Sequence, residues 1–138
     1  MPTPRARILD SFRQVGVRCT VQRYAILEYL QLNPTHPTAE QVHEAINRKD
    51  PRASLATVYK ALHAMARAGL VRALDLGGDA VRFEAKTERH YHYVCERCRK
   101  AEDIAWFEIP KGLLAAALGS RKMRSCEVLI RGICRACA

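Results

Sequence analysis

Apolar positions in the first half of the chain recur at helical spacing. Ile8, Leu9, Phe12 and Val15 share one face, and Gly16 follows where a left-handed C-terminal cap is wanted. Thr20 is placed to cap a second helix, whose Ile26, Leu27 and Leu30 face one way. Asn33-Pro34-Thr35-His36-Pro37 breaks the pattern. Thr38-Ala39-Glu40-Gln41 then has the spacing of a capping box, and Ala39, Val42, Ala45 and Ile46 form the stripe of a short third helix that ends at Lys49-Asp50-Pro51. Ser54 opens a fourth helix that runs to about Gly69. Leu55, Val58, Leu62 and Met65 are its core face, Thr57, Lys60, Ala64 and Arg67 its polar face, and Tyr59 lies on the border. Alternation then replaces helical spacing. Segments 71–76 and 80–84 flank Gly77-Gly78-Asp79, and Val71, Ala73, Val81 and Phe83 are the expected inward positions of a hairpin.

Three short helices, a fourth with a polar outer face, and a hairpin form the layout of a winged helix-turn-helix. Such a helix matches the width of the DNA major groove. A small α+β domain that binds nothing has the same pattern. After Glu84 the chain changes character. Segment 86–89 is linker-like, Val94 and Ile104 sit in short apolar stretches, 113–118 is a short helix, and Cys126 to Ile130 reads as a strand. The expected class is α+β, with a winged helix-turn-helix over 1–84 and a small α/β domain over 85–138. The second part is short for an independent core, so a metal or a second copy should help hold it together.

Composition narrows the partners. The 138 residues carry a formal charge of +9. Residues 1–84 hold 12 basic and 8 acidic side chains, and 85–138 hold 11 and 6, so the excess belongs to folded surface and not to a tail. A basic balance favours a polyanion such as nucleic acid. No apolar run is long enough for a membrane span and no signal peptide is visible, so a cytoplasmic protein without membrane contact is expected. Six cysteines are then metal ligands or redox groups before they are disulfides.

Cys95-Glu96-Arg97-Cys98 and Cys134-Arg135-Ala136-Cys137 are two Cys-x-x-Cys knuckles. Together they offer four thiolates, a donor set suited to structural zinc. The competing reading is a pair of redox dithiols, but neither motif opens an amphipathic helix that would lower a thiol pKa. His90 and His92, two apart on an expected strand, face the same way. With Asp103, Glu84 and His36 they make a nitrogen and oxygen set suited to iron, manganese or zinc. His43 and His63 lie on helices and are expected at the surface or in packing. Cys19 and Cys126 are expected to be small buried residues, with a redox role as the sharper option.

These residues resemble the ferric uptake regulator family of bacterial metal-responsive repressors. The resemblance runs from Val15 to Cys137. It includes 17–23 (VRCTVQR), His36-Pro37-Thr38-Ala39, 54–59 (SLATVY), Gly69-Leu70-Val71, Arg82-Phe83-Glu84, His90-Tyr91-His92 and both cysteine pairs. It implies a homodimer on a pseudo-palindromic double-stranded operator, with the second domain as the dimerisation domain. It implies structural zinc on Cys95, Cys98, Cys134 and Cys137, and regulatory Fe2+ or Mn2+ on His36, Glu84, His90, His92 and Asp103. The helix from Ser54 resembles the recognition helix, with Ser54, Thr57, Tyr59 and Lys60 near the DNA. Arg18 matches a minor-groove position, and Gln22 and Arg23 lie near backbone contacts.

His-Tyr-His followed by Asp103 is most similar to the peroxide-responsive branch, in which Fe(II) and hydrogen peroxide oxidise ligand histidines. The matching positions are His36 and His90. Several residues depart from the family. Glu84 stands where peroxide sensors usually have Asp, Cys126 where a His is common, and Cys19 and Val21 replace a Thr-Pro pair. Arg89 and Tyr91 supply no ligands for a third site. An iron-, manganese- or zinc-responsive repressor without peroxide chemistry is the alternative, and a zinc-thiol redox-switch chaperone is a more distant one. No nucleophile and base pair and no phosphate-binding glycine loop suggest an enzyme. In the mechanism expected here, one metal held by both halves sets the separation of two recognition helices in a dimer. Only one separation suits half-sites about 34–36 Å apart.

Overall fold

The computed structural model describes residues 1–48, 53–85 and 88–138. The expected helix end at 49–51 and the first two residues of the expected linker lie outside them. The chain divides into two compact units, Met1–Thr87 and Glu88–Ala138.

The first unit begins with α1 (Pro4–Val15), α2 (Val21–Leu32), α3 (Ala39–Asn47) and α4 (Leu55–Arg67). Each start is set by a side-chain cap. Thr3, Thr20, Thr38 and Ser54 accept the backbone amides of Ala6, Arg23, Gln41 and Thr57. At α3 the Gln41 side chain also accepts the Thr38 amide at 2.9 Å, which completes the capping box. Gly16, at φ 69°, ends α1 as expected. The core joins Ile8 and Phe12 of α1, Ile26, Leu27 and Leu30 of α2, Val42 of α3, Val58, Leu62 and Met65 of α4, and Phe83. Val15 and Leu55 fall outside it. Val15 is exposed at the end of α1, and Leu55 is half-buried in the first turn of α4.

The wing is shorter than its sequence pattern. β1 (Arg72–Leu74) and β2 (Arg82–Glu84) pair antiparallel, with Arg72 opposite Glu84, Ala73 opposite Phe83 and Leu74 opposite Arg82. Val71 and Phe83 are buried as expected, but Ala73 and Val81 are exposed, while Leu74 and Leu76 are buried. The ladder stops at Leu74. The Asp75 carboxylate then accepts the Gly77 amide, and Gly77 takes φ 80°, so no strand geometry orients Val81. A further pairing extends the wing. Thr38 bridges Arg82, and the Pro37 carbonyl accepts the Phe83 amide at 2.9 Å. The break after α2 thus lies along the free edge of β2. Four helices and this wing give the winged-helix layout.

The second unit is a three-stranded sheet in the order β4-β3-β5, with α5 (Lys111–Leu118) between β4 and β5 in sequence. β3 (His90–Cys95) is central. It pairs antiparallel with β4 (Ala101–Ala105) and parallel with β5 (Leu129–Gly132). The last strand therefore starts later than expected. Its register is set by His92 opposite Leu129 and Cys95 opposite Gly132, so Cys126 precedes the ladder and is exposed, not buried. Cys19 is half-buried beside Arg23, and burial pushes its thiol up. No helix among the described residues is long and apolar enough to cross a membrane.

Candidate metal centres

β3 carries donors of two kinds. At its start, His90 and His92 point the same way, as alternation requires, and their Nε2 atoms lie 3.0 Å apart with the rings at 70°. Asp103 sits directly opposite His92 on β4, so its carboxylate shares that face. Asp103 Oδ1 is 3.5 Å from His90 Nε2 and 3.9 Å from His92 Nε2. The Nδ1 of His90 is bonded to the Glu88 carbonyl at 2.7 Å, which turns Nε2 toward the cluster. Both histidines are buried. Two imidazoles and one carboxylate form a donor set that suits Fe(II).

The first unit holds a second, smaller set. His36 Nε2 lies 3.3 Å from Glu84 Oε2, and both side chains are almost fully buried. His36 adopts φ 56°, a left-handed conformation uncommon outside glycine. Pro37 immediately after it is tied to β2, so the turn is held from both sides. Glu84 is the last residue of β2. Its Oε1 lies 3.5 Å from Arg72, its cross-strand neighbour, while Oε2 faces His36.

At the other end of β3, the ligand atoms of Cys95, Cys98, Cys134 and Cys137 all lie within 4.8 Å of one another. The knuckles are built by the backbone. The amides of Cys98 and Cys134 donate to Cys95 Sγ at 3.4 and 3.3 Å, and against the opposing effect of burial they hold its thiol down to about 6. Cys137 is pushed up to about 12, first by its hydrogen bond to Cys134 and then by burial. Arg97 joins the two knuckles through a 2.7 Å bond to the Cys137 carbonyl. The donor set fits zinc in number and softness.

The expected DNA residues fall on exposed and half-exposed positions of the first unit. Ser54, Thr57, Tyr59 and Lys60 occupy the outward side at the start of α4, and Arg18 is exposed before α2. Gln22 and Arg23 are half-buried in the first turn of α2, and the Arg23 guanidinium donates to the Arg18 carbonyl at 3.0 Å. Ser54 Oγ is also the α4 cap and bonds Thr57 Oγ1 at 2.9 Å. Tyr59 reaches back to Glu40 at 3.5 Å and stacks on His63. The sequence did not mark His43 and Asn47 as more than helix residues, yet both side chains bond the backbone of Ala53, just before α4.

The sequence profile of the ferric uptake regulator family matches residues 14–127. The chain belongs to the ferric uptake regulator family. Among its relatives, the peroxide operon regulator of Bacillus subtilis (strain 168) is 40% identical over 131 residues, covering 94% of this chain and 90% of that protein. The peroxide-responsive repressor PerR of Staphylococcus aureus (strain USA300) is 37% identical over 130 residues, with 94% and 88% covered. The ferric uptake regulator Fur of Helicobacter pylori, a structure described as having three functional metal binding sites, superposes with a TM-score of 0.76 at 23% identity. That match covers 98% of this chain and 94% of that one. It supports the fold, while the two peroxide regulators bear on the branch. This ferric uptake regulator family member carries its four-cysteine set within the second unit.

Proposed function

We propose that the chain is a metal-dependent repressor that binds operator DNA as a homodimer and releases it on oxidation by peroxide. The observation that carries this reading is the division of the hard donors. His36 and Glu84 are buried in the first unit, and His90, His92 and Asp103 cluster in the second. A cation that draws on both sets fixes one unit against the other. Such a cation selects one DNA-competent arrangement from the ensemble, and by reciprocity operator DNA tightens its binding by the same factor, typically about 5- to 150-fold.

Domains 1–84 and 85–138 then have separate tasks. The first presents α4 to the major groove, with Ser54, Thr57, Tyr59 and Lys60 near the DNA, Arg18 at the minor groove, and Gln22 and Arg23 near the backbone. The second dimerises. Its surface supports this reading: α5 buries none of its residues, Leu113 is 64% exposed, and Trp106, Phe107, Met123, Ile130 and Ile133 are exposed in the same unit. Exposed apolar side chains concentrated in so small a unit mark an interaction surface. Zinc on the four cysteines replaces the hydrophobic core that this unit is too short to build.

Iron, when bound, supplies the one-electron chemistry that turns hydrogen peroxide into an oxidant of nearby side chains. The protein's part is to hold imidazoles there, and His36 and His90 are the positions proposed to be oxidised. The family relatives named as peroxide regulators support this branch. Manganese in the same site would give DNA binding that peroxide does not reverse. The test is an anaerobic titration of the zinc-loaded dimer with Mn2+ or Fe2+, following binding to duplexes selected by the protein itself. Metal-dependent binding with one ion per chain beyond the zinc is expected. Binding that is indifferent to both ions overturns the reading.

A further inference from the structure

Residue Ala53, immediately before the Ser54 cap of α4, is held by two side chains of α3. Asn47 acts as a peptide mimic: its Nδ2 donates to the Ala53 carbonyl at 2.9 Å and its Oδ1 accepts the Ala53 amide at 3.3 Å. Only one orientation of the amide satisfies both bonds. One turn earlier on the same face, His43 Nε2 reaches the same carbonyl at 3.0 Å. Both lone pairs of that oxygen are therefore engaged. Ala53 itself is buried in the core of the first unit. Directly after it, Ser54 caps α4 and bonds Thr57, whose side chain faces outward.

We infer that Asn47 and His43 form a clamp that fixes the N-terminal turn of α4 against α3 and so sets the discrimination between operator and other DNA. The inference rests on the reading of α4 as the recognition helix. Its physical basis is a difference in tolerance. Hydrogen bonds to base edges fail when a helix N-terminus swings slightly, whereas contacts to phosphates survive, because they carry no sequence information and accept many geometries. Loosening the first turn of α4 therefore removes specific binding and spares general affinity. Asn47 and His43 are positioning residues: they act on α4 through Ala53, and neither needs to touch the nucleic acid.

The test uses the full-length, zinc-loaded protein saturated with Mn2+. The probes are a duplex selected by the parent protein from a random pool and a scrambled duplex of the same length. Asn47→Ala is expected to weaken the selected duplex about ten- to a hundred-fold, the scale of one mismatched base pair. Affinity for the scrambled duplex should stay within about twofold, as should Mn2+ affinity measured without DNA; a twofold change is under half the tenfold step that 1.4 kcal/mol produces. His43→Phe, which keeps the ring but removes one donor, should move the same ratio less. If Asn47→Ala does not fold, His43→Phe carries the measurement. Equal losses on both duplexes, or no loss on either, overturn the clamp. Amide exchange in the first turn of α4, measured without DNA, is expected to quicken in both variants. That readout separates the two readings: if the parent selects no duplex the DNA reading fails, while unchanged exchange overturns the clamp alone.

Discussion

The Pro37 carbonyl accepts the Phe83 amide at 2.9 Å, and the residues beside them, His36 and Glu84, face each other at 3.3 Å. A turn between two helices is thus bonded to the edge of the wing. The strained backbone of His36 is held at φ 56° by neighbours that do not depend on a metal. The donor pair is preorganised by the fold of the first unit.

Replacing His36 by Ala should therefore leave the zinc, the dimer and the first unit's fold intact while removing the metal-dependent gain in operator affinity, about 5- to 150-fold. Zinc content, sedimentation and Mn2+-titrated DNA binding check the three parts. Full metal dependence in the variant would show that the two donor sets do not share a cation.

Cys95 is fully buried, accepts two backbone amides and stands at the junction of both knuckles. Cys95→Ser is expected to lose zinc and, because zinc binding and folding are one equilibrium here, to unfold the second unit and lose the dimer. Metal analysis together with circular dichroism measures this. A folded, zinc-free dimer contradicts it.

Proton competition gives the pH dependence of the same site. The folded value of the Cys95 thiol, about 6, lies below its ordinary value of 9.0. Its contribution is therefore full above 9.0, declines as pH falls and is lost once pH passes below about 6. Zinc affinity should weaken as the solution is acidified through that value, because protons compete with the metal for the Cys95 thiolate. A zinc affinity that is flat from neutral pH down to about 5 contradicts the assignment of Cys95 as the anchoring thiolate.

At Gly132 on β5, an added Cβ would lie 2.5 Å from the Tyr93 hydroxyl oxygen. Gly132→Ala is expected to destabilise the β3–β5 pairing by about 1–3 kcal/mol through overpacking. Tyr93→Phe in the same chain should restore part of the loss. Thermal unfolding of the zinc-loaded protein reads both, and an unshifted midpoint in the single variant shows that the strands yield without cost.

Lys60 is exposed on the outward side of α4. Lys60→Ala should weaken operator binding and lower the salt dependence by about one ion, with metal affinity in the absence of DNA unchanged. An unaltered salt slope would place Lys60 away from the phosphates.

Local chemistry was legible in the sequence, and long-range register was not. The capping box at Thr38 and Gln41, the cap at Gly16 and the shared face of His90 and His92 follow from rules that span a few residues, and the structure has all of them. The cysteine knuckles were legible because their spacing is their geometry. The inward face of the wing was misread because alternation was extended past Leu74, where pairing stops and Asp75 turns the chain. Cys126 was expected to be buried in a strand. The parallel register with β3 begins the ladder at Leu129 instead, and only the partner strand fixes that. His43 carried no sequence signal because its partner is a backbone carbonyl, and any residue has one.

Operator binding is proposed to depend on a metal whose site peroxide destroys at ligand histidines. This is tested by preparing the Fe(II) and Mn(II) forms anaerobically, measuring operator binding before and after hydrogen peroxide, and then determining peptide masses. Both forms are expected to bind, only the iron form to let go, and its peptides to gain one oxygen at His36 or His90. Loss of binding with unmodified peptides, or an iron form that stays on the DNA, contradicts the proposal.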